Sequence, residues 1–156
     1  MKKLIILLIV LLVGISLANA EIIYKKDDFT GKESIASDFN NVSGFDIISL
    51  LVSNEDAILT FFRVDKEGYY FNEDALIKID GEIYDLPHLT TISKVAHGHI
   101  ITAGVYSINQ LGDKIKKSET IEIRVNYTIN PPTTFKLNDD ILKEWKEVLG
   151  ENKEKK

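Results

Sequence analysis

The stretch ALIKIDGEIYDL, residues 75–86, decides the fold class of this 156-residue chain. Two short alternating runs flank Asp80-Gly81, and a two-residue type I′ turn needs positive φ at both central positions, which Asp-Gly tolerates. Pro87 then closes the hairpin, because it has no N–H to give to a strand ladder. A hairpin this local sets two strands antiparallel, and similar patterning extends from it in both directions.

Toward the N-terminus, FDIISLLVS (45–53) is apolar on both faces, which marks a central strand, and AILTFFRVD (57–65) is the strand after it. Asn54-Glu55-Asp56 reads as the short connection between them. SIASDFNN, from Ser34, is weaker and is expected at an edge, and EIIYKKDD, from Glu21, is a first strand ending at Asp27-Asp28. Toward the C-terminus, TTISKVAHGHIITAGVYSI (90–108) is too long for one regular strand of about 5–6 residues. A bulge or turn at Gly98, or at Ala103-Gly104, is expected to divide it. Asn109 is a fit cap for a short helix, QLGDKIKK, with Leu111 and Ile115 on one face.

TIEIRVNYTI (120–129) is the cleanest half-buried strand, with Ile121, Ile123, Val125, Tyr127 and Ile129 facing one way, until Asn130-Pro131-Pro132 stops it. NDDILKEWKEVLG forms a terminal helix: Asn138 is a fit N-cap, and Asp139-Asp140 suit the positive end of the helix dipole. Ile141, Leu142, Trp145, Val148 and Leu149 make its apolar stripe, and Gly150 is a fit terminator. The fold class expected is mainly β, an antiparallel β-sandwich or partly open barrel of about seven to eight strands. A short helix precedes the last strand, and the C-terminal amphipathic helix lays its Trp145 stripe over an end or open face of the sheet.

The chain opens MKKLIILLIVLLVGISLANAE. Lys2 and Lys3 form a basic start, Leu4 to Leu17 is apolar apart from Gly14 and Ser16, and Ala18-Asn19-Ala20 supplies small residues for cleavage. Residues 1–20 are thus expected to be a cleaved signal peptide of bacterial type, with 21–150 a single β-rich domain and 151–156 a solvated tail. The protein is expected in the periplasm or outside the cell, with no membrane span after cleavage. The mature chain keeps 17 Lys and Arg against 24 Asp and Glu, a net charge of −7. An acidic surface with dispersed basic residues repels a phosphate backbone, so nucleic acid is an unsuitable partner. The chain has no cysteine. Disulfides, thiol catalysis and thiolate zinc sites are therefore impossible, and the fold rests on burial and hydrogen bonding.

Three histidines are the candidate metal ligands. His97 and His99, two apart, share a face of a strand, and His88 or a carboxylate such as Asp85 is the available third ligand. Gly98 between them opposes this, since a strand glycine often marks a turn. Carboxylates gather near the Asp-Gly hairpin (Glu73, Asp74, Asp80, Glu82, Asp85), where turns also use Asp for local hydrogen bonds. The sequence lacks G-x-S-x-G, HExxH, a phosphate-binding glycine loop and a dinucleotide fingerprint, and implies no cofactor. Tyr69, Tyr70 and Phe71 are the candidate binding residues, with Tyr70 on the face opposite its neighbours and suited to stacking on a sugar or anchoring a partner. The expected function is that of a non-catalytic exported domain that binds a protein or envelope component. The alternative is a small metal-dependent hydrolase built on the histidines.

Overall fold

The structure is a computed structural model that describes residues 21–26, 28, 33–40, 46–53, 56–66 and 70–151. The first 20 residues, Tyr69 and the last five residues lie outside these, and with them the expected signal peptide and the end of the expected tail. The strands are β1 (Glu21–Lys26), β2 (Glu33–Asn40), β3 (Asp46–Ser53), β4 (Ala57–Asp65), β5 (Phe71–Ile79), β6 (Glu82–Leu86), β7 (His88–Ala96), β8 (His99–Ser107), β9 (Ile121–Tyr127) and β10 (Thr133–Lys136). Helix α1 (Gly112–Lys117) precedes β9, and α2 (Asp139–Glu151) follows β10.

The strands form two open antiparallel sheets, one of six strands in the order β1-β2-β3-β4-β8-β7 and one of four in the order β10-β9-β5-β6. The described strands make a β-sandwich and close no barrel. Asp80 and Gly81 both take positive φ, 48° and 91°, as the hairpin requires. His97 and Gly98 repeat the device at 52° and 77°, so the long apolar stretch divides into β7 and β8 there. Gly104 does not divide it and sits inside β8. The described residues hold ten strands rather than seven or eight, partly because Thr133–Lys136, too short to show a period, pairs with β9.

The position of β2 corrects the edge expectation for residues 35–40. It lies between β1 and β3, paired on both sides, and only β1 is at that edge. The register sorts the faces. Ile48, Leu50, Val52, Leu59, Phe61 and Tyr106 share one face of the six-stranded sheet, where they meet Ala75, Ile77, Ile123, Val125 and Phe135 of the other sheet. Phe61 joins the layers: its ring lies 5.4 Å from that of Tyr106 beside it and stacks at 6.2 Å on Phe135 of β10.

The four-stranded sheet is narrower than its partner, and α2 fills the difference by packing on β2 and β3. Trp145 is completely buried in the shared core with Ile141, Leu142, Val148 and Leu149. The Ser37 hydroxyl donates to Glu144 Oε2 at 2.9 Å, which fastens the helix to β2. Asn138 caps it as expected, with Oδ1 accepting from the Ile141 N–H at 2.9 Å. Gly150 does not end it, since the helix runs to Glu151. Asn109 does not cap α1 either. Its Oδ1 accepts from the Ala57 N–H at 2.6 Å and its amide donates to Asp56, so it ties the start of β4 to the end of β8. Leu111 stands at the N-cap position of α1 without a side-chain bond.

Candidate functional site

The cavity that gathers sequence-predicted residues lies at the junction of β6 and β7. Two irregularities build it. Pro87 interrupts the chain between the strands and accepts the Ser107 N–H at 2.8 Å, and the β7–β8 register shifts between His88 and Thr90. On β5, the register against β9 shifts between Phe71 and Ala75, next to Asp74. Asp74, Ala75, Asp85, Leu86, Pro87 and His88 line a cavity of about 410 Å³.

Its chemistry is modest. Asp74 and Asp85 are exposed. His88 is half-buried, with Nε2 at 2.9 Å from Thr91 Oγ1 and its ring edge-on to Tyr106 at 5.2 Å. Beneath it, the Tyr106 hydroxyl donates to the Asn72 carbonyl at 2.8 Å. Burial pushes the Tyr106 phenol well above its usual range, with Tyr127 and Asp74 adding to the effect, so it stays a neutral donor. The cavity offers hydrogen-bond acceptors and one imidazole to a small polar group. Among the described residues, no group of three or more His, Asp or Glu side chains is disposed to hold a metal ion.

The histidines are not brought together. His88 begins β7, whereas His97 stands on the turn just beyond its end. At about 3.3 Å per residue, nine steps of strand separate them by about 30 Å. His97 and His99 are both exposed rather than part of a half-buried face, and His99 Nδ1 lies 3.2 Å from the His97 carbonyl. Positive φ at His97 takes it out of the strand alternation on which the shared-face reading depended.

Asp80, one of the hairpin carboxylates, is engaged elsewhere. Its Oδ1 accepts from the Thr120 and Glu119 amides at 2.8 and 2.9 Å, and Asp80 N–H donates to the Thr120 carbonyl. These backbone donors, Thr120 first, hold its carboxyl below the usual carboxylate value. It tethers the β5–β6 turn to the segment entering β9.

Of the aromatic cluster, Tyr70 stands just before β5 and Phe71 begins it. Phe71 is buried with its ring 5.3 Å from that of Tyr127, while Tyr70 is 61% exposed. Thr128 N–H donates to the Tyr70 carbonyl at 2.9 Å, and the next residue, Ile129, is 76% exposed. Ile129 was expected on the buried face of its strand; β9 ends at Tyr127, so the alternation no longer governs it. The double proline after it was the signal that the strand stops early. Comparison with known proteins finds no matching family model, no matching curated protein and no matching solved structure.

Proposed function

We propose that this chain is an exported, non-catalytic domain that binds a protein or envelope component, with Tyr70 and Ile129 as its anchor. One observation carries the reading. A large aromatic and a large aliphatic side chain stand in water at one end of the sandwich, joined through the Thr128–Tyr70 backbone hydrogen bond. Leaving such side chains in solvent forgoes about 1.5–3 kcal/mol each, which contact with a partner recovers. Tyrosine suits this role because it has a large apolar ring, a polar tip and few rotors to freeze.

Export is supported by the leader, and N-terminal sequencing of the protein from the cell envelope or medium is expected to begin at Glu21. Binding is tested by retention of the purified mature domain on isolated envelope fractions of the producing cells. The double variant Tyr70→Ala, Ile129→Ser is expected to bind about tenfold or more weakly at unchanged thermal stability. Equal retention of variant and parent removes the anchor from the proposal.

A further inference from the structure

The larger sheet ends on an edge that is open to one more strand. β7 runs nine residues, against six, five and four for the other edge strands β1, β6 and β10. Among the described residues no strand pairs with its far side. The turn at its end fixes which backbone groups face that way. Ala96 and His99 flank the two-residue turn at His97-Gly98, so they exchange hydrogen bonds with each other. Alternation gives the pairs Lys94–Ile101, Ile92–Ala103 and Thr90–Val105 the same role. Thr91, Ser93 and Val95, the residues between, therefore turn their N–H and C=O groups outward. The register shift between His88 and Thr90 marks where this regular run begins.

The side chains leave the run accessible and give it a charge preference. Thr91, Ser93 and Val95 are all exposed, whereas Thr90 and Ile92 are half-buried on the opposite face. Lys94 shares that opposite face, is exposed, and has no ion-pair partner among the described residues. It is also the one side chain of β7 with a fixed charge.

We propose that β7 binds an extended segment of a partner protein by strand addition, with an acidic residue of that segment beside Lys94. Main-chain hydrogen bonds to Thr91, Ser93 and Val95 hold the segment, and its alternate side chains are selected by what they meet. A carboxylate matches the ammonium that any added strand desolvates; an uncharged or basic strand leaves it unmatched. The β7 of a second copy is a poor occupant for this reason. Antiparallel pairing through these outward groups brings two Lys94 ammoniums onto one face of the joined sheet. The edge is separate from the Tyr70–Ile129 anchor, and the inference stands if that anchor fails.

The probe is the acetylated, amidated peptide Thr-Val-Thr-Glu-Thr-Val-Thr, compared with the same peptide carrying Lys in place of Glu. Amide hydrogen exchange of the purified protein is followed residue by residue with each peptide at saturation. The Glu peptide is expected to slow the Thr91, Ser93 and Val95 amides by about tenfold or more. The Ile92 and Lys94 amides, already bonded to β8, are expected to change little. Parent protein is expected to bind the Glu peptide about three- to tenfold more tightly than the Lys peptide, and Lys94→Glu to reverse that order. Absence of slowing, or equal slowing along the whole strand, overturns the proposal, as does a preference that ignores the charge at position 94. Slowing without peptide that grows with protein concentration also overturns it, since a second copy then occupies the edge.

Discussion

At the scale of single residues, a close approach between the sheets depends on a missing side chain. A Cβ placed on Gly104 would stand 2.6 Å from Phe71 Cδ1, and that ring is buried between Tyr127 and β8. Gly104→Ala therefore overpacks the layer and is expected to cost about 1–3 kcal/mol in denaturant unfolding. Part of this is recovered when Phe71→Leu is added, because the smaller side chain withdraws from the same spot. Asp80 gives a second test, through pH. Its carboxyl is held below the ordinary value of 3.8 by the Thr120 and Glu119 amides, so near that pH the folded chain binds fewer protons than the unfolded one. The stabilisation is then fully present above the ordinary value and is lost as pH falls through the lower folded value. Asp80→Asn is expected to be less stable than the parent at neutral pH, with the gap shrinking in acid-denaturation curves below about pH 4.

At the scale of elements, the C-terminal helix and the β5–β6 hairpin were readable because each combines a period with a specific terminus. Asn138 followed by the 3.6-residue stripe locates the start of α2 and its buried face, and the structure keeps both. Asn138→Ala is expected to cost about 1 kcal/mol in thermal unfolding, since the Ile141 amide loses its acceptor. The helix's other end was less legible: Gly150 suits a terminator, but a glycine ends a helix only where the chain turns left-handed, and here the helix continues past it. Asn109 shows the same limit, for its amide is spent on Ala57 and Asp56, about fifty residues earlier, and sequence spacing carries no sign of that. The candidate site fared likewise. His88 and Asp85 are near neighbours in sequence and do line one cavity, whereas the His97–Gly98 turn undoes the shared face of the His-x-His pair. Local turn chemistry was visible in the residues, but the meeting of Asp74 with His88 depends on how two sheets stack.

At the scale of the whole molecule, two open sheets leave four edge strands, β1 and β7 on the larger and β10 and β6 on the smaller. An open edge offers unpaired N–H and C=O groups to any extended chain, and proteins blunt it with charge, short length or irregularity. β10 and β6 are short, four and five residues. β1 carries Lys25 and Lys26 within its six residues. The nine-residue β7, HLTTISKVA, is long and rich in β-branched side chains, and Val95 near its end is 72% exposed. Its register shift lies at the His88 end, which leaves most of the strand regular. Lys94 is the one side chain of β7 with a fixed charge, and it is exposed. Adding a second strand alongside would bury that ammonium against the neighbouring chain, at a cost that opposes pairing. Lys94→Thr removes the charge and raises strand propensity at the same position. The variant is expected to keep the parent's melting temperature at low concentration, yet to associate progressively in sedimentation velocity as concentration rises. If it sediments as the parent does across the same range, the register shift and the His97–Gly98 turn already protect this edge, and Lys94 is ordinary surface charge.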